Sequence, residues 1–375
     1  MNRGIGRRRF LQYAGILPMA ALAGCAGVPR PARGPVRITL AGQALMTHPV
    51  CAMPYDGLDA VIAALRGAPA VFTDLEVAIR TARSGAPTRD NEFLHLAPVS
   101  VLDCLREMGF NLLALANNHA WDLGTDGLVA TREEVAGAGF GFAGTGRDLG
   151  EAAAPGFAPA AGRIALVAMA TGKIREGAAA TADRPGVNEL RMADGALVEE
   201  DVRRNLDSIR EARRSADHVI ACLHNHQWGD DMTTTKDWAR DLARRCVDAG
   251  AAVFASHGAP LLHGVEFHRG RPLLHGLGSL VFQSRTRPGH YPPEVWESAI
   301  VHCDFDGDRL AGMQFVPIAL NEVADDPGHS PATRGRPRIA TGSQRERIVG
   351  RLARLSAGLG SRLDIDPATG RVTPG

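Results

Sequence analysis

One stretch constrains the fold more than any other: Leu112–Asp122, which reads LLALANNHAWD. Its apolar run, Leu112 to Ala116, stops abruptly at Asn117-Asn118-His119, with Trp121-Asp122 just beyond. A short apolar run bounded by polar residues suits a strand buried on both faces of an α/β sheet. Ligands of open α/β sheets bind beyond the carboxyl ends of the strands. Two amides and an imidazole at such an edge are a candidate site, because both residue types ligate metals or carry protons. The same residues also suit a plain turn, since Asn accepts left-handed backbone and caps helices.

The body repeats the pattern. Strand-like runs at Arg37–Leu40, Ala70–Phe72, Phe140–Ala143, Ile164–Ala170, His218–Leu223 and Ala252–Ala255 alternate with helical ones. The helical runs are Leu58–Leu65, Ser100–Met108, Thr125–Ala136, Val198–Ser215 and Thr235–Ala249. Ser100 with Asp103, and Ser343 with Glu346, read as capping boxes. Further on, Ala299–Phe305 and Leu310–Val316 flank Asp306-Gly307 as a hairpin, Asp325–Thr341 reads as a loop, and Gly358–Gly375 as a loose tail. Five strand ends are polar: Gly42-Gln43, Asp74-Leu75-Glu76, Asn117-Asn118-His119, His224-Asn225-His226 and Ser256-His257. Residues two apart on a strand face the same way, so Asp74 can point with Glu76, and His224 with His226. Carboxylate, imidazole and amide oxygen together are the donor set of a divalent metal. A single such histidine would more often be a hydrogen-bonded structural residue; five ends agreeing is the stronger signal.

The chain opens with an address. Arg7-Arg8-Arg9-Phe10-Leu11 precedes a short apolar stretch, Tyr13 to Gly24, which fits a secretory signal better than a membrane span. The paired arginines resemble a twin-arginine export signal, and Leu22-Ala23-Gly24-Cys25 resembles a bacterial lipobox. That likeness implies a signal over 1–24, a lipidated Cys25 that attaches the protein to the membrane of the cell envelope or periplasm, and a tether over 25–35. Removing four signal arginines takes the net charge from +1 to about −3, and no basic patch with aromatics marks a nucleic-acid partner. Beyond Cys25 remain Cys51, Cys104, Cys222, Cys246 and Cys303, an odd number without metal or redox spacing. They read as small buried hydrophobes, and no disulfide framework is expected.

The order and wording of these motifs resemble the CapA-type family of poly-γ-glutamate capsule proteins, related to the calcineurin-like metallophosphoesterases. The likeness runs from about Val36 to Leu320, giving a family domain over 36–321 and a loop, helix and tail over 322–375. Asn117-Asn118-His119-x-x-Asp122-x-Gly124 is the most specific match, supported by Thr131, Gly144-Thr145-Gly146, Arg184-Pro185-Gly186-Val187-Asn188, His224-Asn225-His226-Gln227 and Leu277–Phe282. The resemblance implies an α/β fold, an αββα four-layer sandwich with a C-terminal hairpin and helix. It carries over Gln43, Glu76, Asn118, His224 and His257 as metal ligands, with His226 beside them, His119 as proton donor and Asp122 as its orienting partner. Asn117 and Arg184 are candidates to meet an anionic substrate. One or two divalent ions (Mn, Fe, Zn or Mg) are implied.

Three departures bear on that site. Gln43 stands where the family has aspartate, Asp74 where it has asparagine, and Pro260 where it tends to have a second histidine. Asp74 is a candidate to replace the lost charge as a ligand. Glu76 and Asp74 supply at most two negative charges, which favours one ion or a weakened pair over a full binuclear centre. The reading favoured is a cell-envelope capsule protein, with a metallohydrolase-like or degenerate site, that acts in synthesis or export of poly-γ-glutamate or another anionic polymer beside membrane proteins of capsule synthesis. The alternatives are a lipid-anchored metal-dependent phosphoesterase or hydrolase, and a non-catalytic polymer-binding or structural protein.

Overall fold

In the computed structural model, residues 35–89, 93–159, 163–326, 328 and 330–374 are described. The expected export signal and Cys25 lie outside them. Two sheets form the centre. The larger runs Leu363–Ile365, Arg371–Pro374, Arg309–Leu320, Glu297–Asp306, Val36–Ala41, Ala70–Asp74, Leu112–Ala114, Gly141–Ala143, with Pro337–Ile339 also paired to Arg309–Leu320. The smaller runs Val265–His268, Arg271–Leu274, Val253–His257, His218–Asn225, Ile164–Thr171, Gly156–Phe157. Central neighbours are parallel in both, whereas Val36–Ala41 meets Glu297–Asp306 antiparallel.

Alternation along the strands explains why the sheets face each other. On Ile164–Thr171, Ile164, Leu166, Ala168 and Ala170 enter one apolar core while Ala165, Val167 and Met169 enter another. His218–Asn225 does the same, with Ile220 and Cys222 on the first side and Val219, Ala221 and Leu223 on the second. The first core also takes Ile38, Leu40, Ala70, Phe72, Leu112 and Ala114 from the larger sheet, so it lies between the sheets. Helices cover the outer faces. Glu199–Ser215 buries Val202, Leu206 and Ile209 against the smaller sheet, at three- and four-residue spacing. Leu58–Leu65 buries Leu58, Val61, Ile62 and Leu65 on the larger. Each such side chain, fully buried, contributes about 1.5–3 kcal/mol. Helix, sheet, sheet, helix: the four expected layers are present, in a mixed α/β, metallophosphoesterase-like fold.

The period of two then positions chemistry. Asp74 follows Ala70 and Phe72 on the inter-sheet face, and His224 follows Ile220 and Cys222 onto the same face from the opposite sheet. Both reach the carboxyl edge where the apolar core ends.

Several local expectations change. Cys51 and Cys104 form a disulfide, against the expectation that all five cysteines are isolated; Cys222, Cys246 and Cys303 are buried and free. The bridge joins the turn Val50–Ala52 to the helix Ser100–Met108 across 53 residues, with Cα atoms 5.5 Å apart, and no local spacing announces such a pair. Neither capping box forms: the N-caps are Val99 and Thr341, without side-chain caps, and Asp103 pairs with Arg106 instead. Gly358–Gly375 is not a loose tail, since Leu363–Ile365 and Arg371–Pro374 extend the large sheet. Pro337–Ile339, inside the expected loop, adds another short strand. The hairpin stands as expected, turning on Gly307-Asp308 with Gly307 at φ 54°. Among the described residues no helix is long and apolar enough to cross a membrane.

Candidate metal centre

The strand ends converge. Asp74 Oδ2 lies 2.6 Å from His224 Nδ1, and Asp74 Oδ1 accepts from Asn117 Nδ2 at 3.0 Å. His224 Nε2 lies 2.9 Å from Asn118 Oδ1. Glu76 Oε1 faces three imidazoles, at 3.7 Å from His224 Nε2, 3.9 Å from His226 Nε2 and 4.0 Å from His119 Nε2. Glu76 Oε2 and both His226 nitrogens are buried without a partner. Buried polar atoms are rarely orphaned, so these orphans need an occupant.

The donor set fits a divalent cation. Asp74 beside Nδ1 requires a proton there, which turns the Nε2 lone pair toward Asn118 Oδ1, another acceptor. Two acceptors at 2.9 Å repel unless a proton or a cation lies between them or the Asn118 amide turns its NH2 group to Nε2. Burial opposes a charge on His224, but Asp74 and Glu76 leave its pKa raised. Burial pushes Glu76 up to about 8, helped by Asp74 and Asp122 against His224. Burial and the neighbouring His224 hold His226 well below its usual range, so it is a free neutral donor.

Glu76, His224 and His226 therefore form the best ion site, with Asn118 at its edge. Glu76, His95 and His119 also bring ligand atoms within 4.8 Å of one another. In that set the His95 and His119 rings stack at 3.7 Å and 23°, a geometry less suited than the first to bringing two in-plane lone pairs onto one ion.

His119 lies beside Asp122, with Nδ1 and Oδ2 2.9 Å apart. Asp122 also accepts from the His95 main-chain N–H at 2.8 Å and pairs with Arg89 at 2.7 Å and Arg175 at 3.3 Å. Burial raises the Asp122 carboxyl to about 6. Burial, then Arg89 and His224, hold the His119 pKa well down, so its resting form is neutral, with the proton on Nδ1 and the lone pair of Nε2 toward Glu76.

The other expected site residues take different posts. Asp74 is occupied by His224 and Asn117, so it orients a ligand rather than offering a free oxygen. Gln43 lines the pocket, but its Oε1 accepts the Gly258 N–H at 2.7 Å and pins that turn. Asn117 is a brace, donating to Asp74 and Leu75 O while accepting from His119 N. His257 neighbours His224 across the strand pair with both nitrogens buried and unpartnered, and burial lowers its pKa to about 4; it lines a separate cavity of about 10 Å³. Arg184 is exposed, donates to Ala179 O and does not line the pocket.

The pocket itself holds about 580 Å³. It is lined by Glu76, Asn118, His119 and His226, by the cations Arg89, Lys173 and Arg175, and by Phe93, Trp228 and Tyr291. His95, Arg89 and Arg175 come from segments with no motif, and no sequence signal marks them.

The fold is of the metallophosphoesterase-like class, and its candidate centre gathers His119, His224 and His226 around Glu76. The family model described as bacterial capsule synthesis protein PGA_cap matches residues 37–284, and the chain belongs to that family. An uncharacterized protein of Sinorhizobium fredii is 26% identical, the match covering 88% of this chain and 91% of that one. A probable polyglutamine synthesis accessory protein of Mycobacterium tuberculosis is 28% identical, over 63% of this chain and 64% of its own. The PGA biosynthesis protein CapA of Bacillus subtilis is 28% identical, over 60% and 54%.

Proposed function

We propose that this chain is an exported, lipid-anchored envelope protein of capsule-polymer synthesis or export, holding an anionic chain such as poly-γ-glutamate at a divalent ion. The supporting observation is the Glu76–His224–His226 group, of which Glu76 and His226 line a pocket that also carries Arg89, Lys173 and Arg175. The family and the names of its relatives supply the polymer. The Cys51–Cys104 disulfide agrees with an oxidising compartment. Glu76, His224, His226 and Asn118 hold the ion; Asp74 and Asn117 fix the set. Such an ion supplies Lewis acidity toward an anionic oxygen. Membrane attachment through Cys25 and contact with membrane proteins of capsule synthesis complete the reading.

A second reading, a metal-dependent phosphoesterase, is favoured by the His119–Asp122 pair. There His119 Nε2, neutral at rest, takes up a proton and passes it on at the substrate, with Asp122 stabilising the imidazolium that forms. Metal analysis of the folded protein, titration with γ-linked glutamate oligomers and turnover of a chromogenic phosphodiester separate the readings. Stoichiometric metal and oligomer binding without turnover is the expected result. Turnover would favour the second reading, and absence of metal a purely structural role.

A further inference from the structure

The strand Ile164–Thr171 ends in an unusual turn. Gly172 lies at φ +75°, and a Cβ there would fall 2.6 Å from the main-chain carbon of His226, so the turn hugs the segment that carries that ligand. Lys173 follows at φ 54°. Left-handed backbone is costly for a residue with a side chain. The other non-glycine residues of this kind among those described are Asp194 and Arg269. Each precedes a glycine in a two-residue hairpin turn, between Ala193 and Ala196 and between His268 and Arg271, where that conformation is the normal one. Lys173 closes no hairpin.

What the turn achieves is placement. The Lys173 ammonium stands 5.4 Å from the Trp228 ring centroid, and Trp228 packs on His226 with centroids 4.3 Å apart. Of the three cations lining the pocket, Arg89 and Arg175 are tied to Asp122. Lys173 has no carboxylate partner among the described residues. The chain carries 42 basic residues, and only Lys173 and Lys236 are lysines. A compact, rotatable ammonium binds an anion as a point charge, without the fixed fork of a guanidinium.

We infer that Lys173 is a ligand-positioning residue, which binds the anionic group, carboxylate or phosphate, of whatever occupies the pocket next to the Glu76–His224–His226 cluster. This rests on the anionic-ligand reading above. The backbone strain at position 173 serves that placement.

The test is calorimetric titration of the metal-loaded protein with γ-linked tetraglutamate and, separately, inorganic phosphate, for wild type, Lys173→Gly and Lys173→Arg. Glycine adopts the left-handed conformation freely. The expected result for Lys173→Gly is a loss of tenfold or more in affinity, with unchanged metal content and a melting temperature equal to or above wild type. Lys173→Arg should keep most of the affinity. The probe that wild type binds more tightly identifies carboxylate or phosphate as the source. Wild-type affinity in Lys173→Gly overturns the assignment alone, as does a loss accompanied by lost metal or a lower melting temperature. If wild type binds neither probe, the anionic-ligand reading fails and this inference with it.

Discussion

Asp74 Oδ2 lies 2.6 Å from His224 Nδ1, across the gap between the two sheets, with both residues fully buried. The contact fixes which imidazole nitrogen carries the proton and which one is offered to an ion. Carboxylates that orient a metal-bound histidine in this way are typically worth 10- to 100-fold in metal affinity.

Replacing Asp74 with Asn should therefore weaken metal binding by about tenfold or more without changing the number of ions bound. Competition titration against a chelating dye measures it. Unchanged affinity would show that His224 needs no such partner.

Metal binding should also depend on pH. To hold a cation Glu76 must lose a proton that burial retains up to about pH 8, and His224 must give up the proton on Nε2. Raising the pH from 6 to 8 should strengthen binding by roughly tenfold per unit for each proton released. Binding enthalpies in buffers of different ionisation heat count the protons. A flat affinity across that window would place the ion elsewhere.

How much of this was legible beforehand follows from what kind of information each residue carries. Asp74 and His224 lie on strands with apolar alternation, so period two already turns them to one face of each sheet. The register that brings those faces together is a property of the fold, which is why Asp74 reads as a free ligand in sequence and as an orienting partner in space. Asn118, His119, Glu76 and His226 stand at strand ends and were readable as a set. His95, Arg89 and Lys173 come from loops or turns whose course is set by tertiary packing, and nothing in their neighbours marks them. Cys51 and Cys104 meet only because the turn Val50–Ala52 packs on the helix Ser100–Met108. The terminal strands were hidden by the Asp, Pro and Gly residues of the short loop between them.

The disulfide makes its own prediction. Closing a loop across 53 residues restricts the unfolded chain, a stabilisation of about 4 kcal/mol on the chain-entropy estimate and about 2–4 kcal/mol in common measurement. A Cys51→Ala/Cys104→Ala double variant should melt several degrees lower than wild type, and a reducing agent should lower the wild type but leave the variant unmoved. Equal sensitivity of both proteins to reductant would mean that the bridge does not form.

Acid should destabilise the fold through a residue far from the candidate centre in sequence. His302 is buried on the strand Glu297–Asp306, with Nδ1 2.9 Å from Thr39 Oγ1. Burial, then Arg37, lower its pKa to about 4, whereas the unfolded chain titrates near the ordinary value of about 6.5. Between those values the unfolded state holds a proton that the folded state refuses, so stability falls as pH drops and returns as it rises. From pH 7.5 to pH 5 this group alone should remove about 2 kcal/mol, since each unit is worth about 1.4 kcal/mol. Other buried histidines add to the wild-type slope, and a His302→Gln variant isolates this contribution: its loss of stability over the same interval, from urea unfolding at the two pH values, should be smaller by that amount. Parallel losses in the two proteins would mean that His302 titrates normally in the fold and that its contact with Thr39 does not require the neutral ring.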